Sequence, residues 1–217
     1  MAARLGATES NPSHTVPVRE RILDVGKGKM RVLTAGNPSA PPVLLLHGAT
    51  FRAELWQETG TMAAVALAGF HAVATDLPGH GKYVITGYTK DEIMWRLIEN
   101  MGLHRPVVMG HSLGGAYALA IIRDHSDALA GAVLVAPTKI SRYAKRLKDN
   151  PLPVLVLWGD SDRMIPARKA GTLITLFPNS TLVLLEGARH ECYQQQPNRF
   201  HASILDFLRT LRHRSVP

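Results

Sequence analysis

The chain has 217 residues, of which 46% are hydrophobic and 19% are charged, so length and composition fit a soluble globular protein of one domain or at most two and exclude a disordered or low-complexity protein. Its longest apolar runs are far too short to span a bilayer, and its single cysteine, Cys192, excludes an internal disulfide and cysteine-based metal centres. The formal charge of +8 lies mostly in the second half, with a basic cluster between Lys139 and Lys148. No aromatic interleaving or nucleic-acid motif accompanies this cluster, so we expect a solvated helix face and no nucleic-acid partner, with an anionic ligand as the alternative.

The two ends of the chain differ in composition from the part between them. We expect residues 1–17 to form a disordered leader, residues 18–212 a single domain and residues 213–217 a basic tail. The leader lacks the apolar core of a secretory signal, while a weak mitochondrial presequence stays open because Arg4 is present. We therefore expect a cytoplasmic protein, either a monomer or a weak dimer.

The predicted elements begin with a hairpin and continue as alternating strands and helices. Residues 19–25 and 30–35 flank Gly26-Lys27-Gly28, which predicts an antiparallel hairpin. A continuous apolar run over residues 43–46 predicts a strand buried on both faces, as in a parallel sheet. Further strands are predicted at 70–75, 107–110, 132–136, 154–158 and 181–185, and helices at 54–68, 89–100, 113–123, 141–148, 166–177 and 198–211. The pattern predicts an α/β fold with a mostly parallel eight-stranded sheet, helices on both faces and a site at the carboxyl ends of the strands.

The most informative motif is Gly110-His111-Ser112-Leu113-Gly114, which fits the pattern G-x-S-x-G. It lies between a predicted strand and an Ala/Leu-rich helix, where a sharp turn projects the serine hydroxyl above the sheet. The helix N-terminus favours negative charge developing beside that serine. Ser112 is therefore a candidate nucleophile, although a glycine-rich strand–helix turn with no catalytic role gives the same pattern.

A serine nucleophile needs a base, and the base needs an acid that orients it. On this fold the order along the chain is serine, then Asp or Glu, then histidine. Asp160 and Asp162 follow the strand predicted at 154–158, and His190 follows the strand predicted at 181–185. Three such residues in this order, each after a strand, predict a catalytic triad of Ser112, His190 and one of the two aspartates.

The remaining candidates surround this triad. The loop after the first parallel strand and the residue after the nucleophile supply the oxyanion donors, which indicates the backbone N–H groups of Ala49 and Leu113. Thr50, in the same loop, is a candidate substrate contact, as is Trp158, for which core packing is equally expected. We expect Cys192 to be a buried apolar group, and no metal site, because no metal-ligand spacing occurs among the ten histidines.

Five segments together resemble the α/β-hydrolase superfamily from about Arg19 to Leu211. They are Leu46-His47-Gly48, Asp76-Leu77-Pro78-Gly79-His80-Gly81, Gly110-His111-Ser112-Leu113-Gly114-Gly115, Gly159-Asp160-Ser161-Asp162 and Gly187-Ala188-Arg189-His190. In that superfamily the acid is the last residue of the G-x-x-D segment, so the resemblance assigns this role to Asp162.

A closer resemblance is to the small lidless group called abhydrolase-domain-containing protein fourteen. It is carried by the segments at 47–56, 69–79 and 190–193. Members look like small-ester hydrolases, and one branch is associated with moving acetyl groups from lysine to coenzyme A. That branch carries Ser-Leu-Ser at the elbow, where this chain has the general form His-Ser-Leu-Gly-Gly.

The expected function is therefore a serine hydrolase acting on a small-molecule ester or thioester without a metal or organic cofactor. Only 15 residues run from Pro137 to Pro151, where many relatives insert a lid, so we expect no lid domain and an open site. Two alternatives stay open. One is an acyltransferase or lysine deacetylase that passes the acyl group to coenzyme A, and the other is a binding protein on a hydrolase scaffold.

Overall fold

The computed structural model describes residues 16–83 and 88–214, and within them one eight-stranded sheet runs through the molecule. The strands are β1 (Val18–Val25), β2 (Gly28–Ala35), β3 (Pro42–Leu46), β4 (His71–Thr75), β5 (Val107–His111), β6 (Gly131–Val135), β7 (Val154–Gly159) and β8 (Ser180–Leu185). Their order across the sheet is β1-β2-β4-β3-β5-β6-β7-β8. The predicted leader lies outside the described residues except for its last two positions, as do residues 215–217 of the predicted tail.

The hairpin forms where the sequence predicts it. β1 pairs antiparallel with β2 from Val18 opposite Ala35 to Val25 opposite Gly28. Gly26 occupies the turn with φ of 61°, a left-handed conformation that glycine adopts without steric cost. β2 also pairs antiparallel with β4, whereas every pair from β4 to β8 is parallel. The prediction of a mostly parallel sheet is confirmed.

The parallel strands are apolar because they are covered on both faces. Within β3, Leu44 and Leu46 face one core while Val43 and Leu45 face the other. The first core is closed by α3 (Lys90–Asn100), α4 (Leu113–His125), α5 (Ile140–Leu147) and α6 (Ala170–Leu176). The second is closed by α1 (Glu54–Glu58), α2 (Thr61–Leu67), α7 (Cys192–Gln195) and α8 (Pro197–Arg214).

Two helix predictions are wrong in detail. The single helix predicted over residues 54–68 is two helices, because Gly60 between α1 and α2 has φ of 72° and breaks the right-handed backbone. The helix predicted from residue 166 begins as a 3₁₀ turn, Ala167–Lys169, before α6. The short helix α7 was not predicted. The start of α3 is fixed by a capping box, since Thr89 and Glu92 each accept a hydrogen bond from the other's backbone N–H.

The connection between β6 and β7, at the carboxyl edge of the sheet, is short and lies wholly within the described residues. Between β6 and β7 the chain forms α5 alone, so no lid domain lies there. Among the described residues, no helix has the length and apolar character needed to cross a membrane.

Candidate active site

Four of the sequence-predicted segments come together at the carboxyl ends of neighbouring strands. Ser112 follows β5, Asp162 follows β7 and His190 follows β8, while the loop that contains Ala49 follows β3. Because β3, β5, β6, β7 and β8 are parallel, these ends meet at one edge of the sheet. The sheet topology therefore juxtaposes residues that lie far apart in the chain.

Ser112 occupies a strained turn between β5 and α4. Its backbone has φ of 52° and ψ of −110°, a conformation that costs a non-glycine residue about 1–3 kcal/mol. The turn is fixed by its hydrogen bonds. The Ser112 N–H donates to the Val135 carbonyl over 2.9 Å, and the Ser112 carbonyl accepts from the backbone N–H groups of Ala116 and Thr138 over 3.2 and 3.0 Å. The Thr138 hydroxyl donates to the same carbonyl over 3.3 Å.

The glycines around Ser112 permit close approach of strand and helix. A Cβ on Gly110 would collide with the backbone of Gly114, and one on Gly114 would collide with the backbone at Leu46 and His47. A Cβ on Gly115 would lie 2.8 Å from the Pro137 Cα. Larger residues at these positions would push α4 away from β5 and from the loop after β3, so the small residues of the motif have a direct steric reason.

His190 and Asp162 form a buried pair. The His190 Nδ1–H donates to Asp162 Oδ2 over 2.7 Å, and the Asp162 side chain is wholly buried. The other carboxylate oxygen, Oδ1, accepts from the backbone N–H groups of Met164 and Ile165, each over 2.8 Å. Both carboxylate oxygens are thus satisfied, and the imidazole is held with its proton on Nδ1.

This tautomer leaves the Nε2 lone pair of His190 unused. Within the described residues, His190 Nε2 is buried and has no hydrogen-bond partner, so the structure does not join it to the Ser112 hydroxyl. Burying an acceptor without a donor costs free energy. This cost is offset when a hydroxyl group donates its proton to the Nε2 atom. Hydrogen bonds of this kind are often unformed in the absence of substrate. Chemically, the pair can accept a proton at Nε2 and stabilise the resulting charge.

Asp160 has a different position from Asp162. It is exposed, and its Oδ1 accepts from the Gly187 N–H over 2.8 Å and from the Ser161 hydroxyl over 3.0 Å. It therefore links the loops after β7 and β8 without contacting the imidazole. Of the two aspartates that the sequence leaves open from its residues alone, the structure brings Asp162 to His190.

His111 forms a hydrogen bond with the backbone of the loop that contains His190. Its Nε2–H donates to the His190 carbonyl over 3.1 Å, and its ring centroid lies 4.7 Å from that of His190. Burial, together with the smaller effect of the nearby imidazole of His190, lowers the pKa of His111 to about 3. His111 is therefore neutral, and its Nδ1 is left to accept from the Tyr193 hydroxyl at 3.5 Å. The sequence does not indicate this contact, because residues 111 and 190 approach only after the sheet forms.

The loop after β3 is fixed by His47. The His47 Nδ1–H donates to the Gly48 carbonyl over 2.7 Å, and its Nε2 accepts from the Leu77 N–H over 2.9 Å. Burial lowers the pKa of His47, which is consistent with the neutral ring that this pattern requires. Within the described residues, the N–H groups of Ala49 and Leu113 donate to no protein acceptor. Both are therefore available to a negatively charged oxygen. Thr50 lies exposed beside Ala49.

Asp76 connects this loop to its neighbours, a role that was not predicted from the sequence. Its Oδ1 accepts from the Ala53 N–H over 2.9 Å, just before α1. Arg31 lies 3.9 Å from its other oxygen and also pairs with Glu20 and Glu54. The sequence did contain a signal for this role, because Asp76 begins one of the five segments that resemble the α/β-hydrolase superfamily.

Trp158 and Cys192 lie inside the protein. Trp158 is fully buried in the core, and its Nε1–H donates to the Ile165 carbonyl over 2.8 Å. This places it behind the Asp162 loop and favours the core-packing interpretation over substrate contact. Burial raises the pKa of the Cys192 thiol to about 12, so it is a neutral thiol at physiological pH. Among the described residues, no cluster of three or more His, Cys, Asp or Glu side chains could hold a metal ion.

Comparison with known proteins gives consistent matches. The model of the alpha/beta hydrolase family matches residues 43–145. Protein ABHD14A of Danio rerio is 37% identical over 175 residues, which cover 78% of this chain and 64% of that protein. The chain thus spans slightly less than two thirds of the length of that relative.

A second relative is ABHD14B of Homo sapiens, whose name proposes a protein-lysine deacylase. It is 34% identical over 178 residues, which cover 78% of this chain and 84% of that protein. Among solved structures, a CIB-like hydrolase from Thermoplasma acidophilum is similar in fold, with a TM-score of 0.84 at 24% identity over 90% of this chain and 99% of that one. The extent and identity of these matches show that the chain belongs to the alpha/beta hydrolase family, as a member similar to the ABHD14 proteins.

Proposed function

We propose that this protein is a serine hydrolase that cleaves small acyl esters or thioesters through Ser112, His190 and Asp162. The observation that carries the proposal is the buried His190–Asp162 pair, 2.7 Å between Nδ1 and Oδ2. On the sheet edge where Ser112 stands, the Nε2 of His190 has no hydrogen-bond partner among the described residues. A base that is oriented by a carboxylate and lacks any other partner is what a neutral serine requires for activation.

In the proposed reaction, the Ser112 Oγ attacks the acyl carbonyl while its proton passes to His190 Nε2. The N–H groups of Ala49 and Leu113, which have no protein acceptor among the described residues, receive the oxyanion of the tetrahedral intermediate. His190 then protonates the leaving oxygen or sulfur, and the acyl group remains on Ser112. A water molecule then attacks the acyl carbonyl while His190 takes its proton. The bond to the Ser112 Oγ breaks, His190 returns the proton to that oxygen, and the free acid leaves. No cofactor takes part in this sequence.

Protein-lysine deacylation is the second candidate, and the name of the ABHD14B relative is what favours it. The same acyl-enzyme would form from an acylated lysine, with a thiol such as coenzyme A as the acceptor in place of water. Release of the acyl group from an acetyl-lysine peptide, with and without added coenzyme A, distinguishes this activity from simple ester hydrolysis.

Replacing Ser112 with alanine tests the nucleophile. We expect Ser112→Ala to lose fluorophosphonate labelling and to lower the turnover of p-nitrophenyl acetate by about 10⁴-fold or more, because the triad acts as a unit. The control is Cys192→Ala, which removes the chain's single cysteine thiol and should keep both the labelling and the turnover. Full esterase activity in Ser112→Ala would refute the assignment, and loss of labelling in Cys192→Ala alone would move it to the cysteine.

A further inference from the structure

A small cavity opens between α5 and α6 at the same edge of the sheet as Ser112. Its volume is about 190 Å³. The residues that line it come from the β6–α5 connection, from the start of α5 and from the start of α6: Pro137, Lys139, Ile140, Ser141, Lys169 and Thr172. It is too small for a whole cofactor and large enough for one charged group with a few attached carbons.

The polar lining of this cavity is entirely cationic or hydroxylic. Lys139 and Lys169 supply two ammonium groups, and Ser141 and Thr172 supply two hydroxyls. No carboxylate is found among the described residues that line it. Within the described part of the chain, neither lysine forms an ion pair and neither hydroxyl forms a hydrogen bond. These four groups are therefore available to a ligand, and their shared preference is for an anion.

The cavity is connected to the proposed nucleophile through the chain itself. Pro137 lines the cavity and packs against Gly115 in the first turn of α4. Thr138, between Pro137 and Lys139, donates both its N–H and its hydroxyl to the Ser112 carbonyl. Lys169 lies on the other wall, at the start of the helix that follows the Asp162 loop. The cavity thus lies between the connection that fixes Ser112 and the helix that follows Asp162.

We propose that this cavity is an anion subsite, in which Lys139 and Lys169 bind a carboxylate or phosphate group carried by the substrate of the proposed hydrolase. The inference rests on the proposed function, because that function supplies the substrate. The preference for a negatively charged group follows from the lysines that line the cavity. The anionic group has two possible sources, the acyl chain and the leaving group, and both would reach the same two ammonium groups. The basic residues of α5 itself, Arg142, Lys145 and Arg146, do not line the cavity, so the proposal concerns two lysines and not the whole basic cluster.

Matched pairs of esters that differ in one charge test the subsite. For the acyl side, p-nitrophenyl hydrogen adipate is compared with its methyl ester; for the leaving group, 4-acetoxyphenyl phosphate is compared with 4-acetoxyanisole. We expect the charged member of one pair to have a kcat/KM about tenfold above the neutral member, with the preference weakening as salt is added. The pair that shows the preference identifies the source of the anion.

Three lysine variants then assign the effect. Lys139→Met and Lys169→Met should each lower the ratio of charged to neutral kcat/KM about threefold, because each removes one of the two charges that together give the preference of about tenfold. The matched control is Lys145→Met, which removes an exposed charge from the same helix outside the cavity and should keep the wild-type ratio. A ratio near one in both pairs, or equal loss in all three variants, would overturn the subsite.

Different results would contradict the proposed subsite and the proposed function. If no ester is turned over and the fluorophosphonate does not label Ser112, the hydrolase proposal fails, and the subsite is then judged by calorimetric titration with adipate and with inorganic phosphate. Binding that Lys139→Met and Lys169→Met abolish, while Lys145→Met keeps it, supports the subsite. Absence of binding to the wild-type protein overturns it.

Discussion

The two aspartates after β7 have different partners although they are only two residues apart. Asp162 is buried and its two oxygens accept from His190 and from two backbone N–H groups, whereas Asp160 is exposed and accepts from the Gly187 N–H. An amide at residue 162 has one oxygen for three donors, and its own NH₂ group faces another donor. At residue 160 an amide oxygen still satisfies the Gly187 N–H. The two positions therefore respond differently to the same chemical change.

Asp162→Asn should lower kcat/KM for p-nitrophenyl acetate by about 10⁴-fold, because His190 loses the acceptor that holds its proton on Nδ1. Asp160→Asn is the matched control and should stay within about tenfold of the wild type. Circular dichroism checks that both variants keep the fold. If the larger loss occurs in Asp160→Asn, the proposed acid is the wrong residue.

His111 couples folding to pH because it is buried as a neutral ring. Its pKa is about 3 in the folded protein, well below the ordinary value of 6.5, so the unfolded chain binds the additional proton between these two values. The free energy of unfolding therefore falls as the pH is lowered through this window, by about 2 kcal/mol for this group between about pH 7.5 and about pH 5. Burial also lowers the pKa values of His47 and His71, which act in the same direction.

His111→Gln should show a shallower pH dependence than the wild type, because one proton uptake on unfolding is removed. Its stability near neutral pH should be lower, since the bond from His111 Nε2–H to the His190 carbonyl is disturbed. Urea unfolding at several pH values between about 5 and about 7.5 measures both effects. An identical slope in the two proteins would show that His111 does not carry this titration.

Residue-level chemistry was predictable only in part. The order of Ser112, an aspartate and His190, each after a strand, indicates three polar groups at one sheet edge, and the structure brings Asp162 and His190 into contact. The bonds that fix them were not predictable, because His111 and His190 are 79 positions apart and meet only in the folded sheet. Sequence periodicity reports which face of an element is buried and says nothing about such contacts.

At the level of elements, the break between α1 and α2 shows where periodicity misleads. Leu55, Met62 and Val65 are all buried, so the apolar spacing continues across Gly60 as though one helix ran through. The backbone nevertheless changes hand at Gly60, where φ is 72°. The α2 helix then begins at Thr61 and buries Met62 and Val65. Gly60 inside the amphipathic pattern indicated a break in the helix. The prediction of one continuous helix followed the apolar spacing instead.

Gly60→Ala should destabilise the protein by about 1–2 kcal/mol, because an alanine resists the left-handed conformation. Space is not the reason, since a Cβ at residue 60 would lie 3.9 Å from its nearest neighbour, the His201 Cε1. Thermal unfolding gives the difference in melting temperature. Equal stability of the variant and the wild type would mean that this turn relaxes to a right-handed conformation.

Gly171→Ala is the control with the opposite sign. Gly171 lies in α6 without a positive φ, and no atom lies within 4 Å of a Cβ built there. Alanine is the better helix former, so we expect a gain of about 0.5–1 kcal/mol in the free energy of unfolding. Two glycine-to-alanine changes with opposite effects would separate backbone conformation from side-chain bulk.

For the molecule as a whole, the alternation of buried strands and helices was sufficient to predict the sheet. Continuous apolar runs such as residues 43–46 occur because helices cover both faces, and the parallel connection follows from the helices between the strands. The short link between β6 and β7 was also visible in the sequence, since it has room for α5 and no separate domain. What the sequence did not reveal is the cavity between α5 and α6, which depends on how two helices pack.

Among the described residues no lid domain lies between β6 and β7, which limits how much of a substrate the proposed site can bury. Each methylene contributes about 0.8 kcal/mol to binding only where an apolar wall receives it. With α5 as the only helix between β6 and β7, that gain should end after a few carbons, while the entropy cost of ordering a longer chain continues to rise. Short acyl chains are therefore the favoured substrates of an open site.

A series of p-nitrophenyl esters from acetyl to palmitoyl, measured at one pH and one detergent concentration, tests this expectation. We expect the largest kcat/KM between acetyl and butyryl, and values for palmitoyl that are lower by about 10²-fold or more, because the distal carbons of the long chain remain in water. The Ser112→Ala variant corrects each ester for background hydrolysis. A kcat/KM that rises steadily with chain length would contradict the open site, because the added carbons would then have to meet an apolar cover, formed either by movement of α5 or by a second copy of the chain.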